Sequence, residues 1–293
     1  MTGKQENLKP GSRLDKYRIK QVLGGGGFSI VYLALDPGFD KEIVIKEYFP
    51  AKLAQRHADL TVKAIDDKSE TLFSQGRKLF FQEASVLASL NHPNIVKVLN
   101  FFHANNTIYT VMEYDKGISL QAFIKKEKGS LAEKLILAIF VPLLASLQTV
   151  HEKGLLHLDI KPGNIFLRKG VNPLLLDFGA THKLVMSADS RFFPVVSHGF
   201  SPPEQTCKNA NLGPWSDIYA MGASMRACIE AKPPPAAKKL RKKEATMIPA
   251  AKVLIDLGYS LPFLQCVDWA MSLDIKKRPQ QVSELMSKLK VLQ

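Results

Sequence analysis

Cysteine is scarce in this sequence, with three residues among 293, at Cys207, Cys228 and Cys266. Because they are far apart and odd in number, the sequence predicts neither a disulfide framework nor a zinc site. A chain without structural disulfides is typical of a reducing compartment. We therefore expect a cytoplasmic protein.

Long apolar runs are also lacking. A membrane-spanning helix needs about 20 predominantly apolar residues, whereas the longest candidate, residues 135–147, is shorter and contains Pro142. The N-terminus is polar and has no apolar signal-peptide core. These absences predict that the chain does not associate with a membrane.

Acidic residues are outnumbered, because 27 Asp and Glu accompany 40 Lys and Arg, for a net charge of +13. Such an excess suits nucleic acid, an anionic surface, an acidic partner or a phosphorylated ligand. Most basic residues are spread out, and the one cluster is residues 232–243. It has no interleaved aromatic residues for base stacking, which argues against nucleic acid. The cluster is either a solvated loop or a docking surface for acidic or phosphorylated partners.

A Walker-type phosphate loop, G-x-x-x-x-G-K-[ST], is absent. Instead, four glycines at residues 24–27 connect two β-like runs, residues 17–23 and 30–35. This pattern predicts a hairpin whose backbone N–H groups can approach phosphates, because glycine has no side chain. The alternative is an ordinary tight turn.

Polar residues that suit phosphoryl transfer occur in two short segments. Residues 157–164 read His-Leu-Asp-Ile-Lys-Pro-Gly-Asn, and a Leu-Leu-Leu-Asp-Phe-Gly segment follows. Asp159 can orient an attacking hydroxyl, and Lys161 can neutralise charge on the transferred phosphoryl. Asn164 and Asp177 can supply oxygen ligands for Mg²⁺. The alternative is a polar loop between two hairpin strands, which the presence of both segments in order disfavours.

Lys46 ends an apolar, strand-like run. It needs a partner if its side chain points inward, because lysine is rarely buried unpaired. One candidate is Glu83, beside the apolar face of an amphipathic helix predicted over residues 76–90. Glu47 and Glu70 are rival partners, but neither sits on so regular a helix. The alternative is a solvated lysine at a strand end.

The order of these segments resembles one family. The two polar segments resemble the H-R-D-x-K-x-x-N and D-F-G signatures of protein kinases. Residues 201–204, Ser-Pro-Pro-Glu, resemble the A-P-E motif, and residues 217–222 resemble the start of the helix that anchors the catalytic loop. Residues 17–289 as a whole are similar to eukaryotic-type Ser/Thr protein kinase domains. Lys-Glu-Tyr-Phe-Pro at residues 46–50 resembles the bacterial branch.

The resemblance implies an α+β, bilobal fold. A small β-rich N-lobe with one key helix would span residues 14–114, and a larger, mainly helical C-lobe would span residues 115–293. Residues 1–13 would be a flexible lead-in. Residues 14–293 would then form one protein kinase domain, with ATP and Mg²⁺ in the cleft between the lobes.

The resemblance also implies a reaction, the transfer of the ATP γ-phosphoryl to Ser or Thr of protein substrates. Asp159 would be the catalytic base, and Lys161 would steady the phosphoryl oxygens. Asn164 and Asp177 would hold Mg²⁺, with Mn²⁺ as an alternative ion.

For the nucleotide, the resemblance implies that Lys46, held by Glu83, contacts the α- and β-phosphates. Met112 would guard the rear of the adenine pocket, and Arg278 would pair with Glu204 in a structural role. The expected nucleotide-binding residues are Leu23, Gly24, Gly25, Gly26, Gly27, Phe28, Ser29, Val31, Val44, Lys46, Glu83, Met112, Glu113, Tyr114 and Phe166.

The sequence departs from the family pattern at three places. Leu158 replaces the arginine of H-R-D, which normally holds a phosphorylated activation loop. We therefore predict activity without phosphorylation of that loop. We expect most turnover to survive when its hydroxyl residues are changed to Ala together: Thr181, Ser187, Ser190 and Ser197. Val44 and Phe166 predict a tighter adenine pocket, and Ser29 replaces the last loop glycine.

A pseudokinase scaffold and a small-molecule kinase of the aminoglycoside type are the rival functions. The scaffold is disfavoured because every expected catalytic position is occupied. The small-molecule kinase shares an H-x-D…N…D arrangement, but Lys161, Pro162 and the Pro-Pro-Glu segment resemble protein-substrate kinases. Nucleic-acid binding rests on charge alone.

Overall fold

The chain divides into two compact units in the computed structural model. The first comprises Met1–Asn91 and Val96–Asp115, and the second comprises His92–Ile95 and Lys116–Gln293. The structure describes residues 7–127, 131–177, 196–207 and 211–293.

An antiparallel sheet forms most of the first unit. Its strands are β1 (Arg13–Leu14), β2 (Tyr17–Gly25), β3 (Ser29–Asp36), β4 (Lys41–Tyr48), β7 (Val98–Ala104) and β8 (Thr107–Glu113). They lie in the order β1-β2-β3-β4-β8-β7. A separate hairpin joins β5 (Ala54–Arg56) to β6 (Val62–Ala64). The predicted hairpin around the glycine run is confirmed, because β2 and β3 pair across it.

Helix α1 (Asp67–Ala88) is the helix of the first unit. It begins nine residues before the predicted start at residue 76, since Asp66 caps it by accepting a hydrogen bond from the Ser69 N–H at 2.8 Å. Its apolar residues pack against Tyr48 of β4, whose ring lies 5.7 Å from that of Phe73 and 5.6 Å from that of Phe80.

The start of the chain differs from the expected flexible lead-in. Leu8 is only 2% exposed and belongs to the core of the first unit. Its backbone N–H donates to the Tyr32 hydroxyl at 3.3 Å, and Arg13 begins strand β1. Burial of a leucine stabilises a fold by about 1.5–3 kcal/mol, so residues 8–13 are part of the fold.

The expected N-lobe boundaries differ from the first unit at one internal segment. His92–Ile95 belongs to the second unit. Two backbone contacts tie this segment to the second unit. Ile95 forms an isolated parallel β-bridge with Leu175, and the Leu175 N–H donates to the Asn94 carbonyl at 2.8 Å.

The second unit is mainly helical and contains a small sheet. Its strands β9 (Gly117–Ser119), β10 (Ile165–Arg168) and β11 (Asn172–Leu175) are antiparallel in the order β11-β10-β9. The helices are α2 (Leu120–Glu127), α3 (Glu133–Glu152), α4 (Pro214–Glu230), α5 (Ala237–Arg241), α6 (Ala250–Val253), α7 (Leu261–Ala270) and α8 (Val282–Lys290). Helix α3 packs against α4 and α8. The expected α+β class, with one β-rich and one mainly helical unit, is confirmed.

Helix α3 corrects the expectation that no segment is long and apolar enough to cross a membrane. It has 20 residues and contains a window of mean hydropathy 1.6. By length and composition alone, it is therefore long and apolar enough to cross a membrane. In the structure 56% of that window is buried. Core helices of globular domains pass the same test because they are apolar on most sides.

Candidate active site

One face of the first unit's sheet carries the expected nucleotide-binding side chains. In the register of β3, β4 and β8, Val31 lies opposite Lys46, and Val44 lies opposite Met112. Cross-strand partners share a face, and so do residues two apart on one strand. Val31, Val44, Lys46 and Met112 therefore line the same half-buried face.

Helix α1 brings Glu83 to that face. The Lys46 Nζ lies 3.9 Å from Glu83 Oε1, at the outer limit of an ion pair, and 5.5 Å from the centroid of the Phe80 ring. The close approach of the helix depends on Gly76, where an added Cβ would overlap the Tyr48 hydroxyl and lie 2.8 Å from its Cζ. The predicted Lys46–Glu83 pair is confirmed.

The opposite face explains why Glu47 is not the partner of Lys46. Glu47 accepts hydrogen bonds from Arg56 at 2.6 Å, from Tyr32 at 2.7 Å and from Tyr109 at 2.6 Å. Burial, followed by the charge of Glu47, raises the pKa of both tyrosines far above the usual value, so their hydroxyls remain donors. The other rival, Glu70, is exposed in the first turn of α1.

The glycine turn lies between β2 and β3, and the Gly26 N–H donates to the Ser29 carbonyl at 2.9 Å. An added Cβ at Gly24, Gly26 or Gly27 would meet no described atom within 4 Å. The packing of the described residues therefore does not require glycine at these positions. A ligand that approaches the backbone closely would require it.

The remaining expected nucleotide residues of the first unit lie at strand ends or turns. Leu23 and Phe28 flank the glycine turn and are exposed. Glu113 ends β8 and its N–H donates to the Lys97 carbonyl at 3.0 Å. Tyr114 follows the strand and is half-buried.

In the second unit, the segment after α3 holds the expected catalytic residues together. Lys161 Nζ donates to both carboxylate oxygens of Asp159, at 3.0 and 2.8 Å. The Ser197 hydroxyl donates to Asp159 Oδ1 at 2.7 Å and accepts from Lys161 at 2.9 Å. Asn164 Nδ2 donates to the Asp159 backbone carbonyl at 2.8 Å and to its Oδ2 at 2.9 Å. The side chains form one hydrogen-bonded cluster.

Strand pairing brings Asp177 next to this cluster. The Leu176 N–H donates to the Asn164 carbonyl at 2.9 Å, and Asp177 is the next residue. His157 Nε2 lies 3.0 Å from the Leu176 carbonyl. Asp177 has a positive φ of 56°, a left-handed conformation that aspartate adopts more readily than most non-glycine residues. The Phe178 and Gly179 that follow lie outside the described residues.

Asp217 of α4 fixes the backbone of the catalytic segment. It is fully buried and accepts from the N–H groups of His157 at 2.8 Å and Leu158 at 2.7 Å, and His151 Nε2 lies 2.8 Å from its Oδ2. Burial, the largest influence, raises the pKa of Asp217. This effect is outweighed by the hydrogen bond and charge of His151, the charge of His157 and the hydrogen bond from the Leu158 N–H. The pKa of Asp217 therefore lies below its usual value. The expected anchoring role of this helix is confirmed.

The expected Glu204–Arg278 pair is also present. Arg278 donates to Glu204 Oε1 at 2.7 Å, and both side chains are buried. The Ser216 hydroxyl donates to the same carboxylate oxygen at 3.0 Å. The pair therefore joins the Pro203–Thr206 turn to α4 and to the segment before α8.

Phe166, the expected adenine-pocket residue of the second unit, lies in the middle strand, β10, of the small sheet. It is half-buried and is paired with Leu174 on one side and Ser119 on the other. The Gly117 backbone in β9 lies close to β10. An added Cβ at Gly117 would overlap the Leu167 carbonyl oxygen and lie 2.7 Å from the Phe166 ring.

Comparison with known proteins agrees with this geometry. Residues 17–289 match the family model described as the protein kinase domain. The chain belongs to the protein kinase family. This kinase resembles serine/threonine-protein kinase D of Synechocystis sp., with 34% identity over 232 residues, which are 75% of this chain and 42% of that protein. It also resembles PrkC of Bacillus subtilis, with 31% identity over 208 residues, which are 71% of this chain and 29% of that protein.

A solved structure, the apo form of PpkA-294, has the same fold as this kinase. Its TM-score is 0.84 at 34% identity, and the match covers 97% of this chain and 99% of that chain. This kinase chain spans less than half the length of the two curated relatives. The expected protein kinase family and its fold are confirmed, and the family uses ATP and a divalent metal ion. The two curated relatives carry the name serine/threonine-protein kinase.

The kinase's own residues fit a divalent cation by their donor chemistry. The amide nitrogen of Asn164 is held by Asp159, so that its Oδ1 is oriented and accepts no hydrogen bond from the described residues. Asp177 supplies a carboxylate at the end of the adjoining strand. Amide and carboxylate oxygens are the ligands that Mg²⁺ takes in proteins.

The kinase's site contains residues that the sequence did not reveal. In the sequence Ser197 is one of several loop hydroxyls, yet in the structure it bonds directly to Asp159 and Lys161. His151 lies in none of the motifs, yet it lies against Asp217. Neither belongs to a local pattern, and only knowledge of the long-range contacts identifies them. Thr181, Ser187 and Ser190 lie outside the described residues.

Proposed function

We propose that this chain transfers the γ-phosphoryl of ATP to serine or threonine hydroxyls of protein substrates. The observation that carries the proposal is the cluster around Asp159, in which a carboxylate, an ammonium and a serine hydroxyl are joined by bonds of 2.7–3.0 Å. A hydroxyl held between a base and a cation is the arrangement that phosphoryl transfer requires.

In the proposed reaction Asp159 orients the substrate hydroxyl and accepts its proton as the oxygen attacks the γ-phosphorus of ATP in line. The bond from that phosphorus to the β-phosphate oxygen breaks, and ADP is the leaving group. Lys161 neutralises charge that develops on the transferred phosphoryl oxygens. Asn164 and Asp177 would hold Mg²⁺, or Mn²⁺, which shields the charge of the phosphates. The bond between the Ser197 hydroxyl and Asp159 supports this assignment, because it demonstrates that a serine hydroxyl fits between base and cation.

The first unit would bind the rest of the nucleotide. Lys46, accompanied by Glu83, would contact the α- and β-phosphates, and the glycine turn would cover them. Val31, Val44 and Met112 would contact adenine. The shared sheet face of these side chains supports the assignment.

The test measures transfer of label from ATP radiolabelled at its γ-phosphate to the chain itself and to generic protein acceptors. Asp159→Asn should lower the rate by about 10²-fold or more, the usual contribution of a catalytic base. Asp256→Asn is the matched control, since Asp256 is exposed. Wild-type rates in Asp159→Asn, or transfer to an aminoglycoside but to no protein, would contradict the proposal.

We further propose that activity does not depend on phosphorylation of the activation loop. Leu158, in place of the arginine that would hold a phosphate, packs with Leu156 and Leu212 in an apolar cluster. An aliphatic side chain donates no hydrogen bond, so it cannot hold a phosphorylated loop.

The test of this second proposal changes Thr181, Ser187 and Ser190 to Ala together and measures turnover. Ser197 is left intact because its hydroxyl binds Asp159, and its removal would disturb catalysis directly. We expect the triple variant to keep most wild-type turnover. A loss that is restored by Glu at the same three positions would refute the proposal.

We also propose that the basic segment, residues 232–243, is a docking surface for acidic or phosphorylated protein partners. Its buried Ala237 and Leu240 hold helix α5, while its cations are exposed: Lys232, Lys238, Lys239, Arg241, Lys242 and Lys243. Lys238→Glu and Lys239→Glu together should weaken binding to polyglutamate. Unchanged binding would remove the proposal. A cytoplasmic location stays a prediction.

A further inference from the structure

A groove of about 930 Å³ in the second unit adjoins the catalytic cluster. Lys161 and Ser197, which both bond to Asp159, line it. Residues of α2, of the segment at 196–200 and of the end of α4 form the other walls. A polypeptide whose hydroxyl reaches Asp159 would therefore run along this groove. This role of the groove rests on the phosphoryl transfer proposed above.

The charge of the described groove wall is positive. Its lysines are Lys125 at the end of α2, Lys161, and Lys232 after α4. None of the described lining residues is acidic. Lys161 is neutralised by Asp159, whereas neither Lys125 nor Lys232 forms an ion pair with the described residues. Two uncompensated positive charges therefore remain on walls that come from different segments.

The nearby carboxylates in the described part of the chain do not cancel this charge. Glu127 lies on α2 but does not line the groove. Glu230, at the end of α4, is paired with Arg226 at 2.7 Å. The partial negative charge at the end of α4 is about half an elementary charge and falls off within a turn, so it offsets only part of the charge of Lys232.

The position of Lys232 is fixed by packing. Gly199 has a φ of +86°, and an added Cβ there would lie 2.5 Å from the Pro234 carbonyl oxygen. The proline run after Lys232 therefore touches the chain two residues beyond Ser197. Because proline restricts the backbone, this contact holds the backbone next to Lys232 beside the segment that carries the catalytic cluster's hydroxyl.

We propose that this groove selects protein substrates with acidic side chains next to the accepting serine or threonine. Lys125 and Lys232 are its specificity-determining residues, each interacting with a substrate carboxylate. Val196, Phe200 and Pro233 add apolar surface to the groove, which suits aliphatic side chains between the acidic ones.

The first experiment compares peptides that share one serine in a neutral background and carry three Glu, three Gln or three Lys on either side of it. For the wild-type chain we expect kcat/KM to be highest with Glu on one side, exceeding Gln by about tenfold, since two exposed ion pairs contribute on the order of threefold each. Equal rates for Glu and Gln peptides would overturn the inference while the proposed function stands. Fluorescently labelled peptides measure binding in parallel, so that tight binding without transfer would overturn the proposed function alone.

The second experiment reverses the charges. Lys125→Glu and Lys232→Glu should each lower the Glu-to-Lys preference, and the double variant should prefer the Lys peptides. Lys126→Glu is the matched control, because it makes the same charge change one residue along α2 on a side chain that does not line the groove. An equal loss of preference in the control would show an effect of net charge and overturn the groove assignment.

Two further measurements, at higher ionic strength and with a phosphorylated peptide, test what the groove recognises. The preference for Glu peptides should shrink as ionic strength rises, because exposed charges are screened. A peptide with phosphoserine in place of the flanking Glu distinguishes a site for carboxylates from one for phosphates. If only the phosphorylated peptide is preferred, the inference of acidic side chains is overturned in favour of substrates that are phosphorylated beforehand.

Discussion

Lys46 and Glu47 are neighbours on β4, but they belong to opposite kinds of polar cluster. The Glu47 side chain is 0% exposed and its partner Arg56 is 1% exposed, with a contact of 2.6 Å. The Lys46 side chain is 13% exposed, and its contact with Glu83 is 3.9 Å long. A satisfied, buried cluster stabilises the fold, whereas a longer and more accessible pair lies where a ligand can reach it.

The second unit repeats the contrast. Arg278 and Glu204 are 0% and 5% exposed and lie 2.7 Å apart, which joins three segments of the helical unit. Lys161 is 30% exposed and shares Asp159 with a hydroxyl. In both units the residues proposed for catalysis or nucleotide binding form the more accessible pair, and a buried pair stabilises the fold of the same unit.

The largest expected effect is the loss of the buried cluster. Glu47→Ala should lower the free energy of unfolding by about 3–5 kcal/mol, because it leaves Arg56 and two tyrosine hydroxyls buried without their acceptor. Chemical denaturation measures this loss. Glu42→Ala on the same strand is the control, since its ion pair with Lys20 is exposed, and its cost should stay below about 1 kcal/mol. Equal costs in the two variants would remove the distinction between buried and accessible pairs.

On the other face of β4, the expected effect is on activity. Lys46→Met should lower phosphoryl transfer by about 10²-fold, equivalent to about 2.7 kcal/mol, while changing the free energy of unfolding by less than about 1 kcal/mol. Radiolabelled ATP measures the rate of phosphoryl transfer, and chemical denaturation of the same preparation measures the free energy of unfolding. Lys41→Met, on the exposed start of the strand, should change neither. If Lys46→Met loses stability but keeps the wild-type transfer rate, Lys46 serves the fold and not the reaction.

An intermediate effect is expected where helix α1 touches β4. Gly76→Ala adds a methyl that overlaps the Tyr48 hydroxyl, and overpacking of this kind costs about 1–3 kcal/mol. The better helix propensity of alanine returns about 1 kcal/mol, so we expect a net loss of up to about 2 kcal/mol. The transfer rate should also fall, because the same helix carries Glu83.

Two further variants test the Gly76 contact. Gln75→Ala, one residue earlier on an exposed position, should leave both stability and rate unchanged. Combining Gly76→Ala with Tyr48→Phe should restore part of the stability, because it removes the overlapping oxygen. A double variant no more stable than Gly76→Ala would mean that the overlap is not the cause.

The sequence predicts a polar contact when its members lie in local patterns. Lys46 ends a strand-like run and Glu83 lies on an amphipathic helix, so both stand out; Glu204 and Arg278 occur in recognisable family motifs. The Ser197–Asp159 and Arg56–Glu47 contacts are not predicted from the sequence, because no periodicity or motif marks Ser197 or Arg56. Folding creates these contacts through packing of segments that are polar and irregular when taken alone.

Element boundaries show the same limit. Helix α1 begins at Asp67, but its first turns are polar, so apolar periodicity detects the helix only from residue 76. The capping residue Asp66 was the available local signal. Leu8 gave no signal, because a single apolar residue in a polar N-terminal segment has no periodicity.

The smallest expected effect concerns the glycine turn, which has neither a buried nor an accessible ion pair. Gly26→Ala should change the free energy of unfolding by less than about 0.5 kcal/mol, because the added Cβ meets no described atom within 4 Å. If a phosphate of ATP lies against this backbone, the added methyl should prevent one backbone hydrogen bond to it. ATP binding should then weaken by roughly two- to tenfold, which corresponds to the free energy of one hydrogen bond. Titration of the folded chain with a fluorescent ATP analogue measures it. Unchanged affinity would mean that the turn's glycines serve the hairpin and not the ligand, and the nucleotide assignment of the first unit would then rest on the Lys46 face of the sheet alone.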